Sequence, residues 1–192
     1  MKNLETLPTR QFQDEIFAWW KNNKREFPWR QTTNPYHILV SEMMLQQTQA
    51  TRVVPKYNLF ITEFPEMSEL IKASNAKILK LWSGLGYNKR ALWLKEITKS
   101  IGNINNFPKS PNELTNFKGI GRYTSNSILI FAFNYNLCAV DINIKKTLLN
   151  FNFINRNTNE NQIYEICKQL LPQDQSSDWH NALMDFGALK LK

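Results

Sequence analysis

Cysteine and histidine are scarce in this chain of 192 residues, with two of each. Cys138, Cys167, His37 and His180 form no CxxC, HxxxH or mixed run, so no metal site is legible. Two thiols in a chain this long suit a reducing compartment better than a disulfide scaffold, although spacing alone leaves one disulfide open. Long apolar runs are also missing. No stretch of about 18 apolar residues exists to span a bilayer, so no membrane partner is expected. The opening "MKNLETLPTRQFQDEIFAWW" carries charges every few residues and no apolar core of a secretory signal, which points to the cytoplasm. Internal repeats, low-complexity tracts and Pro/Ser linkers are absent too.

What is present is a large apolar fraction, 42% hydrophobic and 12% aromatic, enough to bury a substantial core. The formal charge is +8. Such an excess keeps a protein soluble, and it also suits a polyanionic partner. Periodicity is helical nearly throughout: "FQDEIFAWW", "PYHILVSEMMLQQT", "MSELIKAS", "AKILKLWSGL", "KRALWLKEITKSI", "TSNSILIFAF", "INIKKTLLNF", "NQIYEICKQLL" and "WHNALMDFGAL" all place apolar residues three and four apart. Short polar or Pro/Gly joints separate them. The expected fold is all-α, with about ten helices.

Three places carry chemistry. In "HILVSEMMLQQTQ", Glu42 falls in an apolar stripe with Ile38 and Leu45. A buried carboxyl has its pKa raised and suits proton donation near neutrality, unless it is merely bonded to backbone or to Arg30. In "NLCAVDINIKKTLLNF", Asp141 stands where a helix N-cap belongs, and the helix N-terminus should keep it ionised. Two acids pushed in opposite directions make an acid-plus-anion arrangement. In "KGIGRYTSNSILIFAF", Gly119 and Gly121 allow positive φ and close approach. The amides of Gly119, Ile120, Gly121 and Arg122 can then point outward as an anion nest beside Lys118. An ordinary tight turn between helices needs no ligand.

Taken in order, these pieces resemble the helix–hairpin–helix DNA glycosylases, and within them the adenine DNA glycosylase (MutY) family. "FPWR" (27–30), "NPYHILVSEMMLQQTQ" (34–49), "LWSGLGYNKRA" (81–91), "FKGIGRYT" (117–124), "VDINIKK" (140–146) and "NALMDFGA" (181–188) carry the resemblance. It implies that Glu42 protonates N7 of a flipped adenine and then positions water, while Asp141 stabilises or transiently bonds the oxocarbenium-like sugar. Asn143 and Tyr123 match residues bonded around the carboxylates and the reacting nucleotide. Gln47, Thr48, Leu85 and Tyr87 match residues that wedge into the duplex or touch the opposing 8-oxoguanine, and Trp29, Arg30 and Asp185 match positions near the adenine pocket. Where related endonuclease III-type enzymes have a lysine that attacks the sugar, this chain has Tyr123, which cannot form a Schiff base.

The resemblance thus implies a monofunctional adenine glycosylase that acts as a monomer on double-stranded DNA containing A:8-oxoguanine or A:G mispairs. Its expected fold has two lobes, residues 34–135 with six helices and residues 1–33 plus 136–192, with DNA cleft and active site between them. A thymine (G:T) mismatch glycosylase is the enzymatic alternative, since Tyr123 occurs there too, and a non-catalytic DNA-binding remnant is the other. Most members follow "MDFGA" with four cysteines that bind a [4Fe–4S] cluster, and with a domain resembling the MutT hydrolases. Neither is present before Lys192, so no cofactor is expected, and both a minimal enzyme and a truncated chain stay open.

Overall fold

The computed structural model describes residues 8–191; the expected lobe limits at 1 and 192 and the "MKNLETL" segment lie outside them. Helix α1 (Thr9–Trp20) buries Phe12, Ile16 and Trp20, four residues apart on one face. A 3₁₀ turn (Pro28–Arg30) leads to α2 (Pro35–Leu45), α3 (Ala50–Glu63), α4 (Met67–Lys72), α5 (Asn75–Trp82) and α6 (Lys89–Ile101). A second 3₁₀ turn (Ile104–Asn106) precedes α7 (Pro111–Thr115) and α8 (Arg122–Phe133), and α9 (Ile142–Asn150), α10 (Glu160–Gln169) and α11 (Ser176–Leu189) complete the chain. Among the described residues there is no strand, and no helix is long and apolar enough to cross a membrane. Helix starts follow local chemistry: Ser74, Ser110, Asp141 and Asn159 each accept the amide three residues on.

Two of these helices escape the periodicity. Helix α3 contains Pro55, which reads as a breaker. Pro55 and Thr51 are both exposed, so water can take the carbonyl that proline leaves without its amide. Helix α7 is only five residues long, too short to display a period.

The chain forms two compact units: a continuous one, Phe27–Phe133, and one built from the residues up to Glu26 together with those from Asn134 on. The breaks thus fall at 26/27 and 133/134 rather than at 33/34 and 135/136. The FPWR segment joins the continuous unit because Trp29 stacks on Phe27 at 5.0 Å and meets Tyr57 of α3 edge-on at 5.4 Å. That unit holds seven α-helices, not six. At its centre α2 packs against α3, α6 and α8. Its buried residues, from Tyr36 and Ile38 through Met44, run around the whole helix. The one-sided stripe expected for α2 is therefore not what buries Glu42; burial on every side does.

In the discontinuous unit α11 packs on α9 and α1 around Phe12, Ile144, Leu148, Trp179 and Phe186. Phe12 meets Phe151, Phe153 and Trp179, each within 5.4 Å. Helix α11 approaches α9 closely at Gly187, where a Cβ would lie 2.1 Å from the backbone oxygen of Asn143. No side chain can move aside there, because the obstacle is backbone. Gly187→Ala should therefore cost about 1–3 kcal/mol or more by overpacking, read as a lower urea midpoint at an unchanged m-value.

Candidate active-site residues and loops

In the continuous unit Glu42 lies on central helix α2 with 6% of its surface exposed. Tyr123 is half-buried in the first turn of α8, and Lys118, Gly121 and Arg122 are exposed beside it. Gly119 has φ +85°, and a Cβ on it would meet the Trp93 ring at 2.6 Å, so glycine is required there. Its carbonyl accepts a 2.8 Å bond from Gln46 Nε2, which also donates to Thr124 Oγ1 at 3.3 Å. The expected nest is only partly formed. Ile120 is buried, and its amide donates to Phe117 O at 3.2 Å instead of pointing outward. Gly121 does not adopt positive φ; open space surrounds its Cα, which leaves room for a ligand's backbone approach.

The two loops expected to touch a duplex are organised by one side chain that the sequence reading passed over. Arg90 of α6 is buried and donates to the carbonyls of Met43 (2.6 Å), Met44 (3.1 Å) and Gln46 (2.7 Å) at the C-terminus of α2. Its other terminal nitrogen reaches Leu85 O (3.1 Å), Gly86 O (3.0 Å) and Thr48 Oγ1 (3.4 Å). Gln47 and Tyr87 sit on these loops with φ of +56° and +46°, conformations that non-glycine residues rarely adopt. Gln47 is exposed and Tyr87 is 67% exposed, while Thr48 is half-buried and donates to Leu85 O. Leu85 departs from expectation. At 5% exposure its side chain is part of the core rather than presented on the surface. Trp29 is likewise buried in its aromatic stack, and Arg30 lies half-buried over the Phe27 ring at 5.1 Å.

In the other unit Asp141 caps α9. One carboxylate oxygen accepts the Ile144 amide at 2.7 Å, and the other accepts Asn143 Nδ2 at 2.9 Å. The structure thus brings Asn143 onto Asp141. The expected ionising bias does not win: burial pushes the Asp141 pKa up, and the bonds from Ile144 and Asn143 and the charge of Arg25 only oppose it. Asp185 is fully buried and bonded inward, accepting Trp20 Nε1 at 2.8 Å, the Arg25 amide at 3.1 Å and the Arg25 guanidinium. Facing its own chain's donors, it anchors the entry of Arg25. Arg90 stands inside the quoted stretch 81–91 and Arg25 just before FPWR, but neither carried a sequence signal beyond its charge.

The profile of the HhH-GPD superfamily of base excision DNA repair proteins matches residues 40–173. The chain belongs to this superfamily. Like it in sequence is the adenine DNA glycosylase of Buchnera aphidicola subsp. Baizongia pistaciae, 36% identical over 95% of this chain and 54% of that one. The thymine/uracil-DNA glycosylase of Methanothermobacter thermautotrophicus is 29% identical over 93% of this chain and 83% of that one. The HhH-GPD chain thus spans about half the length of that adenine glycosylase. In structure it resembles a thermostable thymine-DNA glycosylase (TM-score 0.83, 27% identity, 94% of this chain, 86% of that one). An endonuclease III trapped as a covalent intermediate with DNA shares the fold (TM-score 0.79, 18% identity, 94% and 86%). Residues 1–192 hold two cysteines, Cys138 and Cys167, both buried next to His180.

Arg90→Lys keeps the charge and loses the planar fork that reaches both loops. The expected loss is about 2–4 kcal/mol of unfolding free energy. Amide exchange should rise most in residues 46–49 and 83–88; uniform exchange across the unit would remove Arg90 as organiser of the loops.

Proposed function

We propose that this chain is a monofunctional DNA glycosylase that hydrolyses the N-glycosidic bond of adenine mispaired with 8-oxoguanine or guanine. The observation that carries the reading is the Asp141–Asn143 pair at the head of α9, a carboxylate held in fixed geometry while burial disfavours its charge. An anion so placed is relieved by a cation. Cleavage of the glycosidic bond develops positive charge on the deoxyribose, so Asp141 stabilises the transition state more than the ground state. Glu42 supplies the complementary step, donating a proton to N7 so that adenine leaves neutral, then holding the attacking water. Tyr123 opens α8 where a lyase needs a lysine, so the sugar is not attacked by an amine and the strand stays intact.

DNA is the proposed partner. The reading is supported by the family, by the charge of +8, and by the exposed Lys118–Arg122 turn, where Gly119 and Gly121 amides have no acceptor among the described residues. Those amides suit a phosphate. Gln47 and Tyr87, exposed on loops that Arg90 holds in left-handed conformations, suit insertion beside a base that leaves the stack. Leu85 supports them from below. Adenine is favoured by "MLQQTQ" and "GLGY" and by similarity to adenine glycosylases. The likeness to a thymine-DNA glycosylase over most of both chains favours thymine opposite guanine as the second reading.

Single-turnover reactions on duplexes with A opposite 8-oxoguanine, A opposite G and T opposite G, each split with and without alkali, test this. Adenine release with breaks only after alkali is expected; thymine release instead moves the substrate to the second reading, and breaks without alkali remove the monofunctional assignment. Asp141→Asn should slow excision by roughly 10²–10³-fold while keeping a good N-cap. It should also stabilise the fold near neutral pH. Because burial raises the Asp141 pKa, the folded state holds that proton more tightly than the unfolded chain, and this contribution is lost as pH rises through the folded value. The melting temperature of Asp141→Asn should therefore exceed that of the wild type at neutral pH, with the gap closing on acidification.

A further inference from the structure

Cys138, Cys167 and His180, dispersed in sequence, converge in the discontinuous unit. Cys138 lies in the loop 134–141 that ends at Asp141, Cys167 on α10 and His180 on α11. All three are buried, and one ligand atom from each lies within 4.8 Å of the others. Neither thiol is in a disulfide, and Cys167 hydrogen-bonds to Cys138. His180 is already oriented: Nδ1–H donates to Ser176 O at 2.7 Å, which leaves Nε2 as the lone-pair nitrogen, accepting the Ala139 amide at 3.2 Å. A backbone carbonyl on the far ring nitrogen is the support that a metal-binding imidazole usually has.

We propose that Cys138, Cys167 and His180 form a binding site for one zinc ion. The donor set selects the metal. Thiolate and imidazole exclude the hard cations calcium and magnesium. Two thiolates and one divalent ion sum to zero charge, which suits a site packed against Tyr164 and Val140; a monovalent soft cation would leave a net buried anion. Tetrahedral zinc with sulfur at about 2.3 Å needs sulfur atoms ~3.8 Å apart, so the three ligands need only small movements. Binding releases the protons of both thiols to solvent and costs His180 its bond to Ala139. The fourth position goes to a solvent molecule, as in other three-ligand zinc sites. Once bound, the ion ties the loop ending in Asp141 to α10 and α11, three residues before that carboxylate. This inference does not depend on the proposed substrate.

The test uses the whole chain, reduced and freed of metal, titrated with zinc against a chromophoric chelator. One equivalent bound per chain is expected, with a rise in melting temperature of roughly 5–10 °C at zinc a hundredfold above Kd. The double variant C138S/C167S should bind none and show no shift. Should it fail to fold, cobalt(II) added to the wild type decides: an intense thiolate-to-cobalt charge-transfer band supports the site. Absence of that band, zinc retained by C138S/C167S, or an intramolecular disulfide recovered in place of bound metal overturns it.

Discussion

The Arg90 guanidinium is the contact on which the loops after α2 and α5 of the continuous unit depend. Helix α2 ends with carbonyls that no further turn can satisfy, and the loops after α2 and α5 both present theirs inward. One planar fork meets five of these carbonyl oxygens at 2.6–3.1 Å. Only because those bonds exist can Gln47 and Tyr87 stay in left-handed backbone conformations that cost free energy. The exposed phenol of Tyr87 and the buried Leu85 are two results of the same constraint.

The discontinuous unit answers a similar problem with carboxylates. Asp185 is fully buried and tolerable only because Trp20 and Arg25 donate to it, which closes the chain's entry onto α11. Arg25 also acts through space on Asp141, lowering a pKa that burial raises more. The two aspartates thus differ: Asp185 holds the Arg25 cation, whereas burial disfavours the charge of Asp141. Gly187 lets α11 approach the α9 backbone at Asn143, whose side chain bonds Asp141 two residues away.

Several assignments were open to reading from residues alone because their causes are local. Helical periodicity, the Asp141 cap and the helix start after Gly121 depend on a few neighbours, and each is found in the structure. The motifs carried the superfamily, since their spacing is itself a record of which loops must face one another. Helix α3 tolerates Pro55 because a breaker on an exposed face costs less than one inside a core.

What lay outside the sequence was every property set by contacts between distant segments. Whether Leu85 and Asp185 point outward or inward, whether the Ile120 amide is taken, and which way burial shifts Asp141 all depend on what packs over them. Arg90, 44 to 47 residues from the α2 end it caps, looks like any surface cation in a basic chain. Cys138, Cys167 and His180 share no local pattern and meet only because α10 and α11 fold back on the loop before α9. The sequence by itself determined the helices, their caps and the residue types available for chemistry, because hydrogen bonds and periodicity act over one or two turns. Only the tertiary structure decided which of those residues are buried, bonded or free to meet a substrate, because desolvation is a property of the whole surrounding shell.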